Sequence, residues 1–417
     1  MTDHALLAEG VSEKFMQYVK VNTQSSDLTD DTPSTPGQWD LARVLETELL
    51  GLGLSDVCVD EHCFVIGRLP SNLDQPAPAV GFMAHLDTVP GVPGAGVVPV
   101  MHREYQGGEI HVGHGVILSP ADSPSLAGAV GEDIITSDGS TLLGADDKAG
   151  IAAIVQALAE MTSHPDVPRP EVWVAFTPDE ETGKGVGRFP YDKFGARVAY
   201  TLDGGASGEL SEETFEAMNG VVTINGVSSH TGAARGKMVN AIHLAAQLIS
   251  SIPAGQRPET TFGREGFIHP NDIEGNVEHV AIKLIIRDFD ATLAQAREEA
   301  LLRSIEALRA HNTGAEIKWT RTGGYRNMKE ALDRDPRTVE FAREAMRLAG
   351  MRPSTIPIRG GTDGARLSFG GILTPNIFTG GGDAHSRGEW VSVQGMERAA
   401  QVMVNLAGLW ASQACSA

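Results

Sequence analysis

The sequence predicts an α/β protein built on a doubly wound mixed sheet and interrupted by an inserted α+β segment. Three observations predict it. Short apolar runs ending in an acid or a histidine alternate with helical spacing through the first half of the chain. A different rhythm, strand–helix–strand–helix–strand, fills a middle segment of small-domain size, about 110 residues. From Met328 the chain returns to helix, strand and Gly-rich loop, and His385 lies in that last part.

Taken in order, residues 11–50 read as helical segments broken by a polar Ser/Asp/Thr/Pro loop near 25–36. Residues 79–84 are an apolar run ending at His85, the pattern of a strand buried on both faces. Residues 91–139 are rich in Gly, Pro and His with weak periodicity, which predicts loop with short strands. After Asp146 and Asp147, the residues Ile151, Ile154, Val155 and Leu158 repeat at helical spacing. Residues 172–176 and 198–202 are further apolar strands, each running into an acidic turn. In the middle segment, 221–224 reads as a strand and 238–252 as an amphipathic helix. Val280, Ile282, Leu284 and Ile286 alternate strictly, as a strand with one buried face requires. A second helix over 293–308 and a strand at 317–320 complete an antiparallel sheet of four-stranded type backed by two helices. A site containing both His85 and His385 requires the two ends of the chain to share one domain. Residues 1–212 and 325–417 therefore form one discontinuous domain, with 213–324 inserted.

Charge and cysteine content narrow the function classes. Lys and Arg number 33 against 54 Asp and Glu, a formal charge of −21, so no basic stripe is available to neutralise phosphates. Nucleic acid and anionic membrane surfaces are disfavoured as partners. Cys58, Cys63 and Cys415 read as reduced thiols, not a disulfide framework. The opening residues lack a basic region followed by an apolar stretch, and no run approaches the roughly 18 apolar residues that span a bilayer. A soluble cytoplasmic protein is the expectation.

Five scattered pieces carry the chemistry: His85-Leu86-Asp87, Asp146 within Gly-Ala-Asp-Asp-Lys, Glu180-Glu181, Asp203 within Leu-Asp-Gly-Gly, and His385. Each stands where an apolar run gives way to a polar or Gly-rich turn. Residues i and i+2 of an extended strand end face the same way, so His85 and Asp87 can converge. Imidazole nitrogen with carboxylate oxygen suits zinc, or cobalt and manganese. Asp is also an ordinary helix cap, but one would suffice at Asp146-Asp147. A carboxylate has two oxygens, so an aspartate there can bridge two ions about 3.5–4 Å apart. Two adjacent glutamates can divide labour, one ligating while the other takes a proton from water. Asp203 is the analogous strand-end acid, and His385 is a plausible last ligand. Two divalent ions are balanced by Asp146, Glu181, Asp203 and one bridging hydroxide. The set predicts a dinuclear metal hydrolase. His111 and His114 lie in the Gly-rich stretch and read as solvent-exposed. Residues 360–364 lack the Lys-Ser/Thr of a phosphate loop.

In this order, His-Leu-Asp-Thr, Gly-Ala-Asp-Asp-Lys-Ala-Gly, Asp-Glu-Glu-Thr-Gly, Leu-Asp-Gly-Gly and the C-terminal His resemble the M20 metallopeptidases. The resemblance implies two Zn2+ per subunit, with Co2+ or Mn2+ as substitutes. His85, Asp146 and Asp203 would hold one ion, and Asp146, Glu181 and His385 the other. Glu180 would be the general base, and Asp87 would orient the His85 imidazole instead of ligating. A cis peptide between Asp146 and Asp147 is implied as well. The insert would be a lid used for homodimerisation. In it, Ser229-His230-Thr231-Gly232 resembles a His-Pro-Gly-type element whose histidine stabilises the oxyanion. Arg287, Arg359 and Asn276 would hold the polar ends of a peptide. The activity implied is release of the N-terminal residue from short peptides, tripeptides above all. A dipeptidase, carboxypeptidase or N-acyl amino-acid deacylase is the alternative within the same chemistry. A phosphoesterase and a non-catalytic scaffold are the alternatives outside it. The loop Gly382-Asp383-Ala384 lacks the aromatic character expected there, which bears on strict tripeptide preference.

Overall fold

The computed structural model describes residues 4–414; Cys415 lies outside them. The chain divides into two compact units. The first comprises residues up to Glu212, Glu330–Ile356 and Thr362 onward; the second comprises Glu213–Lys329 and Pro357–Gly361.

The first unit is organised by an eight-stranded mixed sheet. Its strands run in the order Ser55–Val59, Val65–Leu69, Val172–Thr177, Val80–His85, Val198–Gly204, Asn376–Phe378, Glu209–Ser211 and Ser354–Thr355. The four in the middle, from Val172–Thr177 to Asn376–Phe378, are mutually parallel. All six residues of Val80–His85 are buried, because both faces of this central strand are covered. On one face Phe82 stacks on Tyr200, whose hydroxyl meets the indole N–H of Trp410 in the helix Val393–Ala411. Helices His4–Tyr18, Ala145–Ser163 and Arg337–Leu348 join that layer. The opposite face is thinner: Met83, Ala175 and Ala199 pack against Val186, Phe189, Phe194 and Leu367. Gly150 lets the Ala145–Ser163 helix press onto the sheet, since a Cβ there would sit 2.1 Å from the Leu202 carbonyl oxygen.

A small second sheet in this unit joins Gly381–Gly382, Trp390–Ser392, Ile134–Thr136 and Val100–His102. It packs over Trp390, Leu126, Ile110 and Tyr105. These are the short strands and loops of residues 91–139, paired with the C-terminal Gly-rich segment. The sheet sets out residues 383–389 as the connection between two of its antiparallel strands.

The second unit is a four-stranded antiparallel sheet in the order Phe267–Gly275, His279–Asp288, Glu216–Asn225 and Glu316–Tyr325. The helices Ala241–Ser251 and Ala291–His311 cover one face. Val280, Ile282, Leu284 and Ile286 meet Leu244, Leu248, Leu301 and Ile305 there. Asp290 caps the second helix by accepting the N–H groups of Thr292 and Leu293. Strand Phe267–Gly275 has no counterpart in the sequence reading. Only its first two residues are buried, its exposed half is polar apart from Ile273, and Pro270 precedes a register shift. An edge strand of that kind shows no alternation to read. Among the described residues, no helix is long and apolar enough to cross a membrane.

The alternating strand generates a prediction for this unit. Ile282 is fully buried, so Ile282→Ala should cost about 2–5 kcal/mol in urea unfolding. Lys283, next to it on the open face and paired with the exposed Asp272 at 2.8 Å, should be replaceable by Ala with a much smaller shift in midpoint.

Candidate metal centre

The carboxyl ends of the four adjacent parallel strands lie on one edge of the sheet, the edge where α/β folds bind ligands. His85 closes its strand, Asp203 stands one residue before the end of Val198–Gly204, and Glu180-Glu181 follow Val172–Thr177. His385 follows Asn376–Phe378 through Gly380, which passes so close to Gly395 that a Cβ would fall 2.5 Å from the Gly395 Cα. Asp146 arrives separately, in the first turn of the Ala145–Ser163 helix, and its peptide bond to Asp147 is cis.

These side chains converge. His85 Nε2 lies 2.8 Å from Asp146 Oδ1 and 3.8 Å from Asp203 Oδ1. His385 Nε2 lies 3.1 Å from Asp146 Oδ2 and 2.9 Å from Glu181 Oε1. Asp146 thus turns one oxygen to each imidazole. Ligand atoms of His85, Asp146 and Glu181 lie within 4.8 Å of one another, as do those of His85, Asp147 and Asp203. Neither the Glu180 carboxylate nor His385 belongs to these two groups; His385 joins through Asp146 and Glu181.

The surrounding polar contacts fix this arrangement. The fully buried carboxylate of Asp87 accepts the backbone N–H of Glu180 at 2.9 Å and of Glu181 at 3.2 Å. Its carboxylate stands 3.4 Å from His85 Nδ1, whereas its backbone carbonyl is nearer, at 3.0 Å. Asp87 therefore grips the glutamate turn as well as facing the imidazole. Asn376 brackets Asp203, accepting its N–H at 3.1 Å and donating to its carbonyl at 2.7 Å. Asp179 accepts from the Ser34 N–H and hydroxyl and from the Gln38 amide, tying the polar N-terminal loop to the glutamate turn. Asp147 accepts the His85 N–H, and Glu389 accepts three N–H groups around Asp146.

Electrostatics show what the cluster lacks. Burial pushes the Glu180, Asp203 and Asp147 carboxyls well above their usual range, and neighbouring acids add to it. Burial also raises Glu181, against the pull of His385. Asp146 is also opposed by burial, but contacts from His385 and His85 hold it below the ordinary carboxylate range. Hydrogen bonding to Asp146, with the Glu181 carboxylate 2.9 Å away, pushes His385 up to about 10. Glu181 Oε1 meets His385 as an ion pair, and Asp147 Oδ1 is buried without a hydrogen-bond partner. Buried carboxylate oxygens beside two imidazoles fit a divalent cation, by donor type and by charge.

The remaining candidates belong to the second unit. His230 is exposed, and its Nδ1 accepts the Gly232 N–H. Asn276 Oδ1 closes the hairpin by accepting from Glu278 and His279. Arg287 donates to the Met218 and Ile286 carbonyls and stacks on Tyr325. Arg359 donates to Gly263, Glu265 and Thr261 and lies over Phe215 and Phe267. These contacts engage Arg287, Arg359 and Asn276 within their own unit.

Comparison with known proteins shows the family. The family described as Peptidase family M20/M25/M40 matches residues 140–408. The chain belongs to that peptidase family. Peptidase T of Vibrio parahaemolyticus is 45% identical over 402 residues, covering 96% of this chain and 98% of the relative. Peptidase T of Geobacillus thermodenitrificans is 46% identical, with 95% and 97% covered. Among solved structures, a Bacillus cereus aminopeptidase PepT shares the fold with a TM-score of 0.76 at 24% identity, covering 97% of this chain and 99% of that one. A Bacillus subtilis dinuclear metal-binding peptidase from the M20 family aligns with a TM-score of 0.65 at 13% identity, with 98% and 99% covered.

Of the residues around the centre, Asp147, Asp179, Asn376 and Glu389 were not picked out from sequence. Glu389 had a signal: a single acid four residues after His385, directly before the apolar Trp390-Val391.

The proton load of the centre sets its pH behaviour. A metal ion bound through His385 would displace its proton, which is held up to about 10. Metal binding near pH 7 should therefore release protons, and affinity should rise with pH. Calorimetry in two buffers of different ionisation enthalpy reads the release directly. Affinity that is flat or falls as pH rises would contradict it.

Proposed function

We propose that the chain is a metal-dependent aminopeptidase that releases the N-terminal residue from short peptides, tripeptides above all. The observation that carries this is the convergence of His85, Asp146, Glu181, Asp203 and His385 at one sheet edge, with Glu180 beside them. The relatives named Peptidase T, similar over nearly their whole length, support the substrate class. Beside the cluster is a cavity of about 280 Å³ lined by Asp146, Asp203, Gly381 and Asp383, a space for a short ligand.

Two ions are the reading here, zinc by preference, one held by His85, Asp146 and Asp203 and the other by Asp146, Glu181 and His385. When bound, they supply Lewis-acid polarisation of the scissile carbonyl and a lowered water pKa. Glu180 takes the proton of the attacking water as its oxygen bonds to the carbonyl carbon. The same carboxyl then delivers that proton to the amine nitrogen as the C–N bond breaks. Asp87 makes this possible by pinning the backbone N–H groups of Glu180 and Glu181, so that base and ligand keep separate directions.

Two experiments test the reading. Glu180→Ala should abolish turnover while metal still binds; substantial residual kcat would remove the base assignment. A panel of di-, tri- and tetrapeptides with N-acetylated analogues, run with chelator and with metal add-back, should show chelator-sensitive cleavage that requires a free N-terminus and is fastest on tripeptides. Cleavage of the N-acetylated substrates would favour a deacylase or carboxypeptidase instead.

A further inference from the structure

Glu389 has no part in the proton transfer or ligand set above, yet it is 2% exposed. Both of its oxygens are committed. Oε2 accepts the N–H groups of Leu143 at 2.9 Å and Gly144 at 2.7 Å, and Oε1 accepts the N–H of Asp146 at 2.9 Å. The acceptor comes from a segment far off in sequence and binds the turn that delivers Asp146. Glu389 is also the last residue of the connection carrying His385, before strand Trp390–Ser392. The other end of that connection is held too, because the Trp390 indole N–H donates to Asp383 Oδ2 at 3.0 Å. One carboxylate therefore joins two loops whose functional side chains, Asp146 and His385, meet 239 residues apart in sequence.

We propose that Glu389 is a positioning residue that locks the Asp146 turn to the His385 loop, so that both side chains reach the same metal ion. This rests on the reading of Asp146 and His385 as ligands of one ion. The role needs an acceptor with two oxygens. Three N–H donors converge on it, and an amide in its place offers one oxygen and a competing N–H2 group. Alanine would leave the donors buried without partners. Groups that orient metal ligands from behind act on affinity and ligand geometry more than on substrate binding.

The test uses the full chain with Glu389→Gln, Glu389→Asp and, as control, Asp146→Ala. Glu389→Gln should weaken Zn2+ and Co2+ affinity by about 10–100-fold and shift the visible absorption bands of the Co2+-loaded protein. At saturating metal its kcat should fall with KM for a tripeptide unchanged, and Glu389→Asp should restore part of the affinity. Wild-type affinity and Co2+ spectrum in Glu389→Gln, or a lowered Tm with nothing else changed, would overturn the proposal. If Glu389→Gln does not fold, amide exchange in the wild-type protein decides. The Leu143, Gly144 and Asp146 N–H groups should be strongly protected, and exchange within minutes would overturn the lock. If Asp146→Ala binds metal as tightly as wild type, the ligand reading fails; that result is separable from a failure of Glu389→Gln alone.

Discussion

The centre depends on keeping several carboxylates buried within a few ångströms of one another at one edge of a sheet. Like charges in a poorly solvated place repel, and each is costly to bury without a partner. The structure offsets this with two kinds of positive end. Imidazoles from His85 and His385 face the two oxygens of Asp146. Backbone N–H groups face the carboxylates that stand behind the ligands: Asp87, Asp147, Asp179 and Glu389. The excess of carboxylates over imidazoles in this cluster is what the proposed cations would balance.

That division explains which parts of the site were legible in the sequence. A ligand at the end of a buried strand announces itself, because an apolar run stops at a charged or imidazole residue; His85, Asp203 and the Glu180-Glu181 pair all stand in such places. The supporting acceptors do not. Asp179 and Glu389 act through backbone N–H groups of segments far away in sequence, so nothing local marks their partners. Asp147 sits beside a ligand and reads as its redundant neighbour, although its carboxylate holds the His85 N–H and reaches the second ligand group. The parallel strands of the first unit were readable because both faces are buried. Strand Phe267–Gly275 was not, because an edge strand with polar exposed residues lacks the alternation that identifies its neighbour His279–Asp288.

The arginines of the second unit, named as candidates for the polar ends of a peptide, already have partners. Each donates to backbone carbonyls and lies over an aromatic ring. Guanidinium groups satisfy several carbonyls at once because their donors are fixed in a planar fork, and they stack on rings without losing those bonds. Arg359 also accounts for the short return of Pro357–Gly361 to the second unit. Its contacts to the carbonyls of Gly263 and Glu265 attach that segment to a loop the sequence boundary at 324 had left on the other side of the division.

On the proposed reading a general base stands next to a ligand of the same residue type, and it has to be kept from ligating. Glu180 and Glu181 are chemically identical, so only backbone direction can separate them. Asp87 supplies that direction by taking both N–H groups in one carboxylate, Oδ1 to Glu180 and Oδ2 to Glu181. Asp179, immediately before the pair and at positive φ, turns the chain out of the strand and is held by Ser34 and Gln38. The turn is thus gripped from two sides, and Glu181 points at His385. On the proposed reading, Asp87 holds the backbone of base and ligand through separate oxygens, so the turn itself is fixed while the two side chains take up their different tasks.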